Sequence, residues 1–110
     1  YDIKKGLSYT ESTSLDEYIE DLDVLYVTRI QKERFPDEEE YMKVKGSYVI
    51  GQDIIKKMKD DAIILHPLPR LDEISSDVDS SPHAKYFKQA EYGKFTRAAL
   101  LGLILNKDGF

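Results

Sequence analysis

The chain has 110 residues and a mass of 12.7 kDa, which is the size of one domain. Its net charge of −5 argues against a protein that binds a nucleic-acid backbone, because such proteins carry a basic surplus. It has no cysteine, which excludes disulfides, a thiolate nucleophile and Cys-ligated metal centres. No apolar run approaches the ~20 residues that span a bilayer, so we expect a cytoplasmic globular protein with no membrane and no nucleic-acid partner.

Both ends of the sequence predict a larger protein. The chain begins at Tyr1 without methionine, and residues 1–5 resemble the end of a helix. Residues 98–105 form an unbroken uncharged run, and a helix that is apolar all round needs cover on every side. We therefore expect this C-terminal helix to pack on a part of the protein that the sequence does not contain.

The first half of the chain alternates strand and helix patterns. Residues 7–10 and Val24–Val27 are strand candidates, the second apolar at every position as in a strand covered on both faces. Between them, Ser14 and Glu17 form a capping box at the start of a predicted helix. The helix has an apolar stripe at i, i+3, i+4 and i+7, made of Leu15, Tyr18, Ile19 and Leu22.

The second half continues this alternation. A polar stretch over residues 29–40 is predicted to be a solvated loop or a helix start, and residues 47–50 a short strand. A helical face over residues 52–60 precedes Ile63–Leu65, a second buried strand. After a polar loop, Ser81 is predicted to cap a helix with Pro82 at its first position. We expect that helix to end near Tyr92 at Gly93, and a last helix to follow from about Phe95 to Asn106.

This alternation predicts an α/β fold, with a parallel sheet flanked by helices. In such sheets ligands bind beyond the carboxyl ends of the strands. Two loops with polar residues leave strands here, at residues 29–34 and 66–73. The sequence therefore predicts that a ligand site lies where these two loops meet.

The first loop carries Arg29, Gln31 and Glu33. In an extended chain Arg29 and Gln31 point to one side. A guanidinium suits bidentate capture of a carboxylate or phosphate, and Glu33 could hold its rotamer. The alternative is a charged surface loop whose ions pair among themselves.

The second loop contains Pro67, Leu68 and Pro69. The carbonyls of Pro67 and Leu68 have no ladder to join, and a cis X–Pro bond would turn them outward as acceptors for a ligand N–H group. The alternative is a rigid turn that ends a strand. His66 and His83 could be metal ligands, but their positions favour structural roles.

Four segments together resemble the aspartate carbamoyltransferase family. They are DVLYVTRIQKER (residues 23–34), LHPLPRLDEI (65–74), VDSSPHAKY (78–86) and ALLGLIL (99–105). The resemblance implies that residues 1–110 are the later part of the second, aspartate-binding domain. The family's carbamoyl-phosphate domain, with its Ser-Thr-Arg-Thr loop and His-Pro-x-Gln motif, is absent from the sequence.

The resemblance also implies a reaction, in which the carbamoyl group of carbamoyl phosphate is transferred to the amine of L-aspartate without cofactor or metal. Arg29 and Gln31 would bind aspartate, and Glu33 and Glu73 would orient Arg29. The carbonyls of the Pro67 and Leu68 residues would accept hydrogen bonds from the carbamoyl amide and the aspartate amine, across a cis Leu68–Pro69 bond.

The same resemblance implies a mobile loop over residues 35–45, with Glu40 in it and Tyr41 able to latch onto Asp72. Expected partners are the rest of the catalytic chain, two further copies in a homotrimer, and regulatory chains in some assemblies. The alternatives are another carbamoyltransferase and a non-catalytic relative that binds an acidic metabolite. Ornithine carbamoyltransferase typically has a cysteine in the double-proline loop, which this chain lacks.

Overall fold

The computed structural model describes residues 6–34, 36–44 and 48–105. Two strands, β1 (Val24–Tyr26) and β2 (Ile63–Leu65), form a parallel sheet. The helices are α1 (Glu38–Val44), α2 (Gln52–Ile55) and the long α3 (Tyr86–Ile104), with short 3-10 turns at Lys32–Arg34 and Ser76–Ser80. The predicted α/β class and the parallel pairing are confirmed.

Two further parallel bridges lie near the sheet, one to β2 and one outside it. β1 and β2 pair in register, Val24 with Ile63 and Tyr26 with Leu65. Ile64 also bonds to the chain at 83–85, where its N–H donates to the His83 carbonyl at 2.8 Å. Ile50 pairs with Ile74 in the same parallel sense, outside the sheet. The first contact places residues 83–85 beside β2, and the second joins the segment after β2 to the segment before α2.

The core lies between the sheet and the segments that follow each strand. Its buried apolar side chains come from several segments between residues 19 and 86, because the elements are too short to bury a core of their own. The buried members are Ile19, Val27, Ile50, Met58, Ala62, Ile64, Ile74, Val78 and Tyr86.

The first predicted helix is wrong. Residues 15–21 form successive turns, and only Ile19 makes an i to i−4 bond there, to the Leu15 carbonyl at 3.0 Å. The predicted cap is displaced, since the Ser12 hydroxyl accepts the Ser14 N–H at 3.1 Å and faces Glu17 at 3.4 Å. The predicted strand at residues 7–10 is not part of the sheet either.

The C-terminal helices also differ from the prediction. Ser81 and Pro82 lie in a turn, and α3 begins only at Tyr86, because the preceding residues are drawn alongside β2. α3 passes through Gly93 without a break. Glycine lowers helix stability by about 1 kcal/mol, which a 19-residue helix tolerates. The predicted helix end at residues 1–5 lies outside the described residues, as do Ser47, the first residue of a predicted strand, and Asn106, the last residue of the predicted final helix.

Two apolar surfaces stay uncovered in the described part of the chain. Val24 and Tyr26 of β1 are exposed, so the expectation that helices cover both faces of this strand is wrong for these residues. The last turns of α3 expose Leu101, Leu103 and Ile104, with Leu103 at 78%. Within the described ranges, no helix is both long and apolar enough to cross a membrane.

Candidate functional site

The two predicted loops start at the same edge of the sheet. The ladder ends at the Tyr26–Leu65 pair, and the Val27 N–H still donates to the Leu65 carbonyl at 2.9 Å. Because the strands are parallel and in register, the chain leaves both of them on the same side. The arginine loop (residues 29–34) and the double-proline loop (residues 66–73) therefore follow the strands at one edge, as predicted.

The double-proline loop has the cis bond that the resemblance implied, together with a backbone angle at Leu68 that was not predicted. The Leu68–Pro69 bond is cis, and Leu68 has a φ of +52°. Residues other than glycine rarely adopt positive φ, so such a residue is worth examining for a functional reason. Among the described residues, no hydrogen bond ends on the carbonyl of Pro67 or Leu68. Both oxygens are therefore available to donors on a ligand.

His66 holds this loop from inside. Its side chain is 1% exposed. Nδ1 accepts the Leu68 N–H at 2.8 Å, and Nε2 lies 2.7 Å from Oε1 of Glu73. A nitrogen that accepts carries no proton, so the pattern assigns the neutral ring with its proton on Nε2. This is the structural role that the sequence favoured for His66.

Glu73 is buried and its carboxylate serves the same loop. It accepts the Nε2 proton of His66 and also the N–H of Leu71, at 3.1 and 3.2 Å. The predicted role of Glu73 was to orient Arg29. Among the described residues no ion pair joins Glu73 to Arg29, and that role stays a prediction.

Gln89 connects α3 to both strand ends. Its Oε1 accepts the His66 N–H at 2.9 Å, and its Nε2 donates to the Tyr26 hydroxyl at 3.2 Å. One side chain therefore ties the exits of β1 and β2 to a third element. Nothing local in the sequence indicated this contact, because Gln89 is 63 positions from Tyr26.

A second anchor follows the prolines. Arg70 forms a bidentate pair with Asp79, with 2.6 Å from Nη2 to Oδ2, and its Nη1 donates to the Tyr86 hydroxyl at 3.1 Å. The Tyr86 hydroxyl in turn donates to Asp79. The guanidinium carbon lies 5.5 Å from the centre of the Tyr86 ring and 5.9 Å from that of Phe87, within cation–π range.

The charges of this cluster stabilise one another. The hydrogen bond to Asp79 raises the pKa of Arg70, and the hydrogen bond from Arg70 lowers the pKa of Asp79. Burial, with the adjacent Asp79 charge, raises the pKa of Tyr86 to about 12. Sequence analysis missed this cluster, since the 3-10 turn at 76–80 decides that Asp79 rather than Asp77 faces Arg70.

The arginine loop is held much more loosely. Nη2 of Arg29 lies 3.6 Å from Oε1 of Glu33, and the two side chains are 37% and 71% exposed. Gln31 is half-buried, and its carbonyl accepts the Arg34 N–H at 3.1 Å. The predicted pairing of Arg29 with Glu33 is present as a loose contact, and the binding role of Arg29 and Gln31 stays a prediction.

The predicted mobile loop contains α1. Asp37 caps this helix by accepting the Glu40 N–H at 2.7 Å, which explains why the acidic run is a helix start. Asp72 is exposed, and the latch between Tyr41 and Asp72 stays a prediction. Residues 35 and 45, the ends of that loop, lie outside the described residues.

No metal-binding group is built by the residues that the structure describes, which hold no cluster of three or more His, Asp or Glu side chains of that kind. His83, the second candidate ligand, is buried and its Nδ1 lies 2.7 Å from the Ala62 carbonyl. That contact anchors the turn before α3 to the start of β2. It is a structural contact of the kind that the sequence favoured.

Comparisons with known proteins agree on one family. Residues 2–104 match the family described as "Aspartate/ornithine carbamoyltransferase, Asp/Orn binding domain". The aspartate carbamoyltransferase catalytic subunit of Nitrosopumilus maritimus is 74% identical over 110 residues, which are 100% of this chain and 36% of that protein. That of Thermofilum pendens is 57% identical over 102 residues, 93% of this chain and 32% of the relative.

Solved structures give the same result. The catalytic subunit of M. jannaschii aspartate transcarbamoylase, in an orthorhombic crystal form, matches with a TM-score of 0.70 and 56% identity, over 89% of this chain and 32% of that one. Aspartate transcarbamoylase from Trypanosoma cruzi, in complex with carbamoyl aspartate and phosphate, matches with a TM-score of 0.73 and 41% identity, over 82% of this chain and 29% of that one. The chain thus spans about a third of the length of these relatives. It belongs to the aspartate/ornithine carbamoyltransferase family, and residues 2–104 match that family's Asp/Orn-binding domain.

Proposed function

We propose that this chain supplies the amino-acid half of an aspartate carbamoyltransferase. The observation that carries the proposal is the position of two loops at one edge of the sheet. One loop presents the free carbonyls of Pro67 and Leu68, and the other presents Arg29 and Gln31. Carbonyl oxygens accept hydrogen bonds from an amine, and an arginine binds carboxylates. Together these groups match an amino acid that carries two carboxylates.

Arg29 and Gln31 bind the carboxylates of aspartate in this proposal. A guanidinium offers a planar fork of donors that matches a carboxylate. The only ion pair of Arg29 among the described residues is the loose one with Glu33, so its donors can turn to a ligand at little cost. Glu33 then steadies the guanidinium from the side away from the ligand.

The loop carbonyls orient the reacting groups. One accepts an N–H of the aspartate amine and the other an N–H of the carbamoyl amide. The amine nitrogen attacks the carbamoyl carbon, the bond from that carbon to the phosphate oxygen breaks, and the departing phosphate takes up the proton that the amine loses. No enzyme nucleophile is required, which agrees with the absence of cysteine. The rate gain from such positioning can reach several orders of magnitude.

Aspartate is favoured over ornithine as the amino substrate by the charge of the arginine loop. Ornithine would bring a cationic side chain toward Arg29, whereas aspartate brings a second carboxylate. The double-proline loop also lacks the cysteine typical of ornithine carbamoyltransferases. The relatives named above are aspartate carbamoyltransferases.

The partners in this proposal are a carbamoyl-phosphate domain and further copies of the catalytic chain. The exposed end of α3, with Leu101, Leu103 and Ile104, is an apolar surface that such a domain would cover. We propose a cytoplasmic homotrimer of catalytic chains, and leave the presence of regulatory chains to size measurement of the purified assembly.

The test uses the complete protein that contains these residues. We expect carbamoyl aspartate and phosphate in equal amounts when carbamoyl phosphate and L-aspartate are both supplied, and no product with ornithine. Carbamoylation of ornithine would make the chain part of the sister enzyme. Aspartate binding without turnover would make it the non-catalytic relative.

A second test concerns the division of the site. The 110 residues contain neither the Ser-Thr-Arg-Thr loop nor the His-Pro-x-Gln motif of the carbamoyl-phosphate domain. We expect these residues alone to be inactive and to regain turnover when mixed with that domain. Robust turnover by the 110 residues alone would contradict the proposed division.

A further inference from the structure

We infer that His66 is a positioning residue, whose ring turns the Pro67 carbonyl toward the substrates. The inference rests on the proposed function, because it explains how that carbonyl comes to face outward. Nδ1 of the buried His66 ring accepts a hydrogen bond from the Leu68 N–H at 2.8 Å. None of the sequence motifs assigned the imidazole to the reaction.

The link between the two groups is the peptide plane. The Leu68 N–H and the Pro67 carbonyl belong to one peptide unit, which is planar. That unit is trans, so its N–H and its carbonyl point in opposite directions. Since the buried ring draws the N–H inward, the oxygen must point away from the core. One hydrogen bond to the interior therefore aims the opposite end of the peptide outward.

The ring can do this only in one protonation state. Nδ1 must be without a proton to accept, and Nε2 then carries the proton that it donates to Glu73 at 2.7 Å. Glu73 is the charged group that faces the ring, and its carboxylate also accepts the Leu71 N–H. If Nδ1 carried a proton, it could not accept the Leu68 N–H, because two donors would then face each other. Glu73 prevents this by accepting a hydrogen bond from Nε2, which keeps the proton on that nitrogen.

Leu68 needs such a restraint. Its φ of +52° lies in a region that residues other than glycine rarely adopt. The loop has no strand ladder to hold the 67–68 peptide plane, because Pro67 lacks an N–H and β2 ends at Leu65. A side-chain acceptor two residues earlier replaces the missing ladder bond.

Two amide variants separate the two ring nitrogens. In His66→Asn the amide oxygen can take the place of Nδ1 and accept the Leu68 N–H. In His66→Gln the longer amide can take the place of Nε2 and donate to Glu73, with no acceptor left at Nδ1. Both variants lose the imidazole ring, so the packing loss is shared between them.

The experiment measures kcat and the aspartate KM of both variants in the complete protein. A misplacement of about 1 Å costs on the order of 100-fold in rate, so we expect His66→Gln to lose about 10- to 100-fold in kcat. Its aspartate KM should change less than about threefold, since Arg29 and Gln31 are untouched, and His66→Asn should recover most of kcat. His83→Gln is the control, because this second buried histidine bonds to Ala62 and not to the loop.

The outcomes separate this inference from the proposed function. A wild-type protein that makes no carbamoyl aspartate overturns the proposed function and, with it, this role of the carbonyl. An active wild type with equal losses in the Asn and Gln variants, or with an equal loss in His83→Gln, overturns the inference alone. Nitrogen-15 NMR of the wild-type His66 ring needs no variant to fold. A proton on Nε2 supports the inference, and a proton on Nδ1 overturns it.

Discussion

The double-proline loop and the arginine loop leave neighbouring strands at the same edge of the sheet, but the fold holds them very differently. The double-proline loop is tied to the interior by His66, Glu73 and Arg70, through bonds of 2.6 to 3.2 Å to side chains and backbone. The arginine loop has one ion pair between half-exposed and exposed side chains, at 3.6 Å.

The difference separates two ways of preparing a site. Acceptors that must be aimed at a reacting nitrogen are useful only when they are fixed before the substrate arrives, because reorganisation would cost rate. A cation that captures a carboxylate can be ordered by the substrate itself, or by closure of a second domain. We therefore expect changes in the first loop to alter stability and kcat, and changes in the second to alter substrate affinity.

The largest effect is expected from Arg29→Lys. The variant keeps the charge but loses the fork of donors. Complete loss of one partner of a desolvated charge pair costs about 2–5 kcal/mol, or roughly 30- to 5,000-fold, and because lysine keeps the charge we expect the aspartate KM to rise about 100-fold, in the lower part of that range. Steady-state kinetics of the complete protein, with each substrate varied in turn, measures this. An unchanged aspartate dependence with weakened carbamoyl phosphate binding would reverse our placement of the two substrates.

Gln31→Ala should act in the same direction with a smaller effect. A hydrogen bond to a charged group contributes about 1.5–3 kcal/mol, which is about 10- to 150-fold in aspartate KM. The free energy of unfolding should not change, since Gln31 is only half-buried. A stability loss as large as the affinity loss would assign Gln31 to the fold rather than to the ligand.

Asp79→Asn tests the anchored loop. The variant removes the charge that pairs with Arg70, and we expect the free energy of unfolding in urea to fall by about 1–3 kcal/mol. Because the folded pKa of Asp79 is lowered from 3.8, its contribution is present above about pH 4 and is lost as pH falls through the folded pKa. The variant should be less sensitive to acid in that window. Equal acid sensitivity in both proteins would show that the pair contributes nothing.

Tyr86→Phe tests the same anchor from the alkaline side. The folded pKa of Tyr86 is raised from 10.0 to about 12, so between these values the unfolded chain has lost a proton that the folded chain retains. Stability should therefore fall as pH rises from about 10 to about 12, and the Phe variant should lack that component. Near neutral pH the variant should lose only about 1 kcal/mol. Parallel pH profiles for the two proteins would contradict the raised pKa.

Glu33→Gln should have the smallest effect of the five. Exposed pairs at i, i+4 contribute about 0.3–0.5 kcal/mol, so the free energy of unfolding should change by no more than that. The aspartate KM should rise only slightly at low salt, and the change should shrink at high salt. A loss comparable to that of Asp79→Asn would mean that the arginine loop is anchored after all.

Much of the site was predictable because it depends on short-range chemistry. Two prolines after a strand end indicated a cis X–Pro bond, the family resemblance implied that it is Leu68–Pro69, and that bond is cis. The parallel pairing of β1 with β2 followed from two short apolar runs separated by helical patterns. The exit of both loops at one edge of the sheet then followed from topology alone, because parallel strands end at one edge.

Local helix signals failed at three places, for different reasons. The capping box at Ser14 and Glu17 predicted a helix, but the Ser14 N–H donates to the Ser12 hydroxyl and the segment stays in turns. Pro82 favours a helix start, but the chain after it pairs with Ile64 of β2. Because of this pairing, α3 begins only at Tyr86. Gly93 is a local helix breaker, but it cannot stop a helix whose neighbours on both sides favour it.

The sequence by itself determined the fold class, the two strands and the two loops of polar residues, because alternating patterns and prolines act over a few residues. Only the tertiary structure decided which partners those loops have. His66 reaches Leu68 locally but depends on Glu73 for its tautomer, and Arg70 depends on Asp79 and Tyr86, nine and sixteen positions away. Such partners are chosen by packing of the sheet against α3 and the 3-10 turn. The periodic patterns of the sequence do not predict these contacts, because each contact joins two elements that are separated by a variable number of residues.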